Sequence, residues 1–369
     1  MSSAGGNAVD LEAHLRRQSA ACAELGSWMY EAMLAFAADD FAAGGPVAAV
    51  LDGWTLDPGP AALALRLVGT VHRLALVGEV PALGRFYPSV AGDAVEPFDP
   101  GAAWVAFRDV LAARPEEVRA GLTSPPQTNE IGRSALLIGG LLVLRSRIDL
   151  PVRLVEIGAS AGLNLRPDLV RIEVRDGSPV GGEVAGGVGP VGSPVTLHDA
   201  WQGELPPMDL PIEIVHRYGA DLDPVDVSTA EGRLRLLSYV WPDQPGRINR
   251  LRGAFDLAAA LPVPVVREGA VQTVSALKPE PGTVTVVWHS IMQQYLPERE
   301  RAALDVAFET LGAHATPGAP VARLSFEAVH AATLRGIEFV LRLQLWPGDS
   351  VTQLASAHPH GDTAVWNRI

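Results

Sequence analysis

The chain has 369 residues, 48% of them hydrophobic and 19% charged, which is enough apolar mass for a large core and room for two domains. A net charge of −13 argues against nucleic acid or an anionic membrane as partner, since phosphate neutralisation needs clustered Lys and Arg. One cysteine, Cys22, excludes an intramolecular disulfide and a cysteine-based zinc site.

Met1–Arg17 has no basic start leading into an apolar core, and the longest apolar run, Ala135–Leu144, is too short for a bilayer, so a cytoplasmic protein is expected. Helical spacing of apolar residues predicts helices over Leu11–Phe41, Pro60–Gly78, Ala102–Ala113 and Ile131–Arg147, separated by breaks such as Ala43-Gly-Gly-Pro46. After residue 150 the rhythm changes. Short apolar runs at Val152–Ile157, Ile212–Tyr218, Val263–Val266, Val284–His289 and Val321–Phe326, and an alternating run at Glu338–Trp346, read as strands with helical segments between some of them. The expected fold is α/β: a Rossmann-like, doubly wound, mostly parallel sheet over 151–369, after an N-terminal helical domain over 1–150. Residues 168–211 interrupt the pattern with Gly/Pro-rich, strand-like pieces (Val170–Val174, Pro194–His198), an inserted antiparallel hairpin.

The segment Leu154–Leu165 carries the strongest chemical signal. An apolar strand ends in Glu156, followed by Gly158-x-Ser160-x-Gly162 and a helix-compatible stretch. Glycines permit positive φ and close backbone approach, so such a turn makes a ligand floor. Two chemistries use it: the first loop of an S-adenosylmethionine (SAM) site, and the Gly-x-Ser-x-Gly nucleophile elbow of an α/β-hydrolase. In the first reading, Glu156, Gly158, Ser160 and Gly162 bind cofactor, and the next strand supplies a ribose acid. Asp221, in Gly219-x-Asp221-Leu-x-Pro224, fits that place, with Glu173 as rival because it lies nearer the usual spacing. Glu268 is the candidate near the adenine. His289 and Ser290 close the strand Val284–His289, where open α/β sheets bind ligands, and a histidine there suits proton abstraction. Before the loop stands Gln127-Thr-Asn129-Glu130-Ile-Gly-Arg133, with Asn129, Glu130 and Arg133 as substrate-binding candidates. The hydrolase alternative takes Ser160 as nucleophile with Asp221 or Asp305 and His358 or His360. Its weak points are the long helical region before the elbow, Glu156 at a buried strand position, and the lack of an oxyanion segment. The pair His358-Pro-His360 lacks a third ligand at helical spacing, so metal binding is a minor reading; a loop folding over the sheet's ligand edge is favoured.

The motifs Val71–Leu76, Gln127–Glu130 with Arg133, Glu156–Leu165, Trp241–Gln244, His289–Leu296 and His360-Gly361 resemble an uncharacterised bacterial family, a domain of unknown function, over nearly the whole chain. The second half also resembles SAM-dependent methyltransferases, through Glu156, Gly158 and Gly162, Gly219 and Asp221, and Val287–Pro297. That resemblance implies S-adenosylmethionine as cofactor, a small-molecule methyl acceptor, and the N-terminal helices as lid. Two features depart from it: Ser160 stands where many such loops have glycine, and Phe326–Gly336 leaves little room for a helix between the fifth and sixth strands. A non-catalytic ligand-binding protein of the same fold remains an alternative.

Overall fold

The computed structural model describes residues 4–59, 61–175, 184–330 and 337–368. Its helices before the first strand are α1 (Ala4–Glu24), α2 (Trp28–Ala42), α3 (Pro46–Leu51), α4 (Leu63–Leu76), α5 (Pro81–Gly84), α6 (Pro88–Ala91), α7 (Pro100–Ala113), α8 (Pro115–Leu122) and α9 (Ser134–Arg147). Later helices are α10 (Ala230–Ser238), α11 (Pro245–Ala260), α12 (Ala270–Ala276) and α13 (Glu298–Ala313). The chain clusters into two compact units, one of Met1–Thr128 with Ala230–Asn249, the other of Asn129–Thr229 with Arg250–Ile369. This division differs from a single boundary at residue 150. Residues 129–150 group with the sheet and 230–249 with the helices, because contacts follow buried faces rather than chain order.

In the helical unit, the apolar stretch expected as one helix over Leu11–Phe41 is two. Ser27 caps α2, its hydroxyl accepting from Tyr30 N at 3.2 Å. Prolines open α3, α7 and α8, where a missing N–H is harmless. Met33, Leu34, Leu67, Val71, Phe107 and Leu111 lie in one core with Trp241. Two motifs far apart in sequence meet here. His72 is fully buried; its Nδ1 lies 3.0 Å from Ser238 O and its Nε2 2.7 Å from Ser89 Oγ. A carbonyl only accepts, so Nδ1 donates and Nε2 accepts from the serine. Burial lowers its pKa to about 4, keeping the ring neutral. Asp243 accepts from Ser27 Oγ at 2.7 Å and Met29 N at 3.0 Å, tying the chain after α10 to the start of α2. Asp243→Ala strips both donors of their acceptor. We expect it to lower stability by about 1–3 kcal/mol in urea denaturation; an unchanged midpoint would show the anchor to be redundant.

The second unit is built on β1 (Val152–Ile157), β2 (Arg171–Arg175), β3 (Val184–Val188), β4 (Thr196–His198), β5 (Trp201–Gly203), β6 (Ile214–Asp221), β7 (Val265–Arg267), β8 (Val284–Ser290), β9 (Val321–His330), β10 (Ile337–Trp346), β11 (Ser350–Ser356) and β12 (Ala364–Trp366). Nine strands form one sheet in the order β5-β12-β11-β10-β9-β8-β1-β6-β7. The half from β7 to β9 is parallel throughout, with β1 between β6 and β8. From β9 to β12 it is antiparallel, and β5 joins β12 in parallel. The fold is therefore α/β with a large, mostly parallel central sheet and an N-terminal helical region. β9 and β10 pair directly as antiparallel neighbours, in line with the short span noted after Phe326. The insertion contains an antiparallel hairpin of β2 and β3, while β4, the second of the strand-like pieces named from sequence, joins β2 in parallel in a separate three-stranded sheet.

One sheet face packs on α12 and α13 through Val155, Ile157, Val274, Val287, Phe308 and Leu311. α9 is buried along nearly its whole length, and its Gly139-Gly140 pair explains how it lies so close. A Cβ on Gly140 would stand 2.8 Å from Leu324 Cδ2 of β9, and one on Gly139 would enter the Trp366 ring. Among the described residues, no helix is long and apolar enough to cross a membrane.

Candidate functional site

The parallel half of the sheet has its topological switch at β1, with β6 on one side and β8 on the other, and open α/β sheets bind ligands beyond the carboxyl ends at such a point. The glycine turn lies there. Gly158 and Gly162 have φ of 66° and 65°, and Ser160, with a side chain, has φ of 54°. All three occupy the left-handed region, costly for serine and cheap for glycine. Gly162 also has no room for a side chain, because a Cβ would stand 2.6 Å from Val265 Cγ2.

The turn is held by one carboxylate and one carboxamide. Asp221, at the end of β6, accepts from Ser160 N at 2.8 Å through Oδ2 and from Asp223 N at 2.8 Å through Oδ1. Asn129 Oδ1 accepts from Ala161 N at 3.2 Å and Leu163 N at 2.9 Å. No α-helix follows Gly162. The helix start expected there is replaced by two short 3-10 turns, 163–165 and 167–169. Pro167 stops helical continuation, and Asn129 takes the N–H groups that a helix terminus would have offered a ligand.

Glu156 sits beneath the turn, 3% exposed. One carboxylate oxygen meets Asn164, whose own Oδ1 accepts from Ser134 Oγ at 2.7 Å. The other, Oε2, has no partner among the described residues, and neither does the buried Ser160 Oγ. Burial, with a smaller push from the Asp221 charge, raises the Glu156 pKa to about 8, against the pull of Asn164, Arg133 and Arg166. Two buried oxygen atoms without partners at one glycine turn are what a polar ligand would satisfy.

The remaining residues singled out from sequence bond to the framework around this turn and the neighbouring strand ends. Glu130 accepts from Gly132 N at 3.1 Å, capping its own turn. Arg133 donates to Pro359 O at 3.0 Å, and to Ser290 O and Oγ at 3.2 and 3.4 Å, linking the segment before α9, the end of β8 and the 358–362 loop. Gly132 packs so tightly on His360 O that no Cβ fits, so the loop does fold over this edge. Glu268 accepts from Thr273 Oγ1 at 2.7 Å and Tyr218 OH at 3.4 Å, with its backbone N–H on Asp221 O. Glu173 lies in the small sheet, paired with His198 at 3.0 Å, so of the two ribose candidates only Asp221 stands at the turn.

His289 is fully buried and both ring nitrogens are engaged. Nδ1 lies 2.7 Å from Glu327 Oε1, and Arg323 Nε donates to Nε2 at 3.1 Å. Arginine only donates, so Nε2 accepts and Nδ1 carries the proton. Burial lowers the His289 pKa, against the pull of Glu327. Arg323 also pairs with Asp305 at 2.9 Å. This geometry gives His289 no free nitrogen with which to accept a proton from an acceptor. Glu327 instead organises the loop after β8, accepting from Met292 N at 3.2 Å and Gln293 N at 3.3 Å. Glu327→Ala leaves those groups and a buried imidazole without an acceptor. It is expected to destabilise by about 2–4 kcal/mol, read by thermal and urea unfolding; a loss under half of that would remove Glu327 as organiser. Ser134, Asn164, Arg323 and Glu327 were not among the sequence candidates. A lone acid inside Val321–Val329 and a lone amide between Leu163 and Leu165 were the available signals, since a buried polar side chain requires a partner.

These features describe one class of molecule: an α/β protein with a buried glycine turn at the switch point of a mostly parallel sheet. Residues 12–366 match the family described as an uncharacterized protein conserved in bacteria (DUF2332), and the chain belongs to that family. Neither the curated proteins nor the solved structures contain a match.

Proposed function

We propose that the protein binds S-adenosylmethionine at the glycine turn after β1 and transfers its methyl group to a small nucleophilic acceptor. The observation that carries the reading is the placement of Asp221. It stands at the carboxyl end of the strand next to β1 and is bonded to the glycine turn, with Glu156 below and an unpaired oxygen facing no protein donor. SAM fits these groups chemically: ribose hydroxyls donate to a carboxylate, and its ammonium and sulfonium charges suit a buried acid.

When bound, SAM supplies an electrophilic methyl on a sulfonium, so the protein's part is alignment and exclusion of water. Asp221 positions the ribose while keeping the turn in shape. Glu156, neutral in the free protein at pH 7, gives up its proton to meet the ligand's positive charge. Ser160 Oγ supplies one further hydrogen bond. With both His289 nitrogens in use, no base role is assigned to it. The reading therefore favours an acceptor already nucleophilic at neutral pH.

Ser160 also supports a second reading. A positive φ and an unpartnered hydroxyl suit a hydrolase nucleophile, but that hydroxyl has no histidine bonded to it, and no helix follows the turn. Calorimetric titration with SAM and S-adenosylhomocysteine tests the proposal. Micromolar binding of both supports it. No binding of either, with labelling of Ser160 by a fluorophosphonate, would replace it by the hydrolase reading; binding with no methyl transfer to any acceptor would leave a non-catalytic ligand-binding protein.

A further inference from the structure

We propose that His358, His360 and Asp362 form a binding site for one divalent first-row transition ion of the zinc class. The sequence alone offered two histidines; the fold adds the carboxylate. One ligand atom from each of the three residues lies within 4.8 Å of the others. A tetrahedral site with metal–ligand bonds of about 2.0–2.1 Å needs ligand atoms roughly 3.3 Å apart, so small side-chain rotations close it. Two imidazoles and a carboxylate match the preference of zinc, iron(II) and their neighbours, and are the wrong set for calcium or magnesium, which take oxygen.

The backbone holds these ligands in place before any ion arrives. Pro359 fixes φ between the two histidines. Gly361 takes φ of 79°, and its N–H donates to His358 O at 2.8 Å, making a tight turn. Arg133 holds Pro359 O, and Gly361 lies against the Gly132 and Arg133 backbone with no space for a Cβ. Asp362 accepts from Arg250 at 3.2 Å. A carboxylate has two oxygens, so Arg250 orients Asp362 without removing it as a ligand, as partners of ligating groups do in metal sites. The rings of His358 and His360 meet edge to face with centroids 5.0 Å apart. The His360 N–H donates to His358 Nδ1 at 3.4 Å, so an ion bound through that nitrogen would displace a long hydrogen bond.

Both histidines are half-buried and Asp362 is exposed, so an ion enters from solvent. Three protein ligands leave at least one coordination position open, the mark of a site that binds a further molecule rather than only stapling the fold. Arg133 joins this loop to Ser290 at the end of β8, so the site lies beside the carboxyl end of that strand. An ion there would bind and polarise an oxygen donor, a carboxylate or hydroxyl, of a small molecule. The inference does not rest on SAM as cofactor.

The test uses the full chain, stripped with a chelator and titrated with Zn²⁺ by calorimetry and with Co²⁺ by visible absorption. One equivalent per chain and the ligand-field bands of a low-symmetry site are expected. Each of His358→Gln, His360→Gln and Asp362→Asn should weaken binding about tenfold or more, while His314→Gln, on a distant exposed histidine, leaves it unchanged. Zinc-edge X-ray absorption on the unsubstituted chain removes any dependence on variants that misfold; scattering from two imidazoles is expected. Absence of stoichiometric binding, an oxygen-only shell, or undiminished affinity in the His358→Gln/His360→Gln double variant would overturn the site.

Discussion

Asp221→Ala is expected to reduce SAM affinity by about 100-fold or more, the largest single effect on ligand binding. The carboxylate has two tasks. It is the acid offered to the ribose, and it holds Ser160 N and Asp223 N at 2.8 Å each. Losing a charged acceptor leaves two backbone donors unpaired and the turn free to relax, on the order of 2–4 kcal/mol in binding and in local stability. Asp221→Asn keeps one acceptor oxygen for one backbone N–H, while its NH2 group faces the other donor, so a smaller loss of stability than in Asp221→Ala is expected. Affinity also falls, because a neutral amide accepts more weakly from ribose hydroxyls. Calorimetry on both variants, with urea unfolding alongside, reads the two quantities. An Asp221→Asn protein that loses stability but keeps its affinity would take Asp221 out of the ligand site and leave it as a brace.

Glu156→Gln should change how stability depends on pH. The folded pKa is about 8 against an ordinary value of 4.5, chiefly through burial. The folded chain therefore keeps a proton that the unfolded chain loses. That contribution is fully present below about pH 4.5 and is lost as pH rises through about 8, on the order of 3–5 kcal/mol across the window. Glutamine is neutral throughout and accepts from Asn164 equally well. Near pH 5 the two proteins should unfold at similar urea concentrations, whereas at pH 8 and above the variant should be the more stable. A constant difference across that range would mean that Glu156 is ionised in the folded chain. The same charge logic reaches the ligand. If a cationic ligand draws the proton off Glu156, titration of SAM near pH 6.5 in buffers of different ionisation enthalpy will show close to one proton released, and the glutamine variant will show none.

The central strands were legible because strands buried on both faces, here β1 and β8, are written as nearly continuous apolar runs. Val152–Ile157 is a strand over that whole span, and the runs at 214–221, 284–290 and 321–330 overlap their expectations. The short strands β5 and β12, only three residues each, carry no period long enough to read. The glycine turn was visible for a similar reason: Gly158 and Gly162 announce positive φ in any fold. The backbone conformation just beyond the turn was not. An apolar Leu163-Asn-Leu165 is compatible with a helix, and only Asn129, more than thirty residues earlier, makes 3-10 turns the outcome by capping the N–H groups.

The same division runs through the candidate site. Local chemistry in the chain was sufficient to mark Glu156, Ser160 and Asp221 as a group, and the motif order placed them at the carboxyl ends of neighbouring strands. Which polar residues face a ligand and which are consumed by the framework depended on long-range partners. His289 has the chemistry of a base but meets Glu327 and Arg323 from the next strand, so both nitrogens are spent. Asn129, Glu130 and Arg133 have the chemistry of a substrate clamp but bond to the turn, to Gly132, and to Pro359 and Ser290. Conversely, His358 and His360 gained Asp362 only through the turn at Gly361. The order of residues was enough for the fold class, the strand-and-turn scaffold and the chemical types available, because backbone conformation and burial period are local properties. The partners came from the folded arrangement, because a hydrogen-bonding group takes its role from whatever the fold brings within about 3 Å of it.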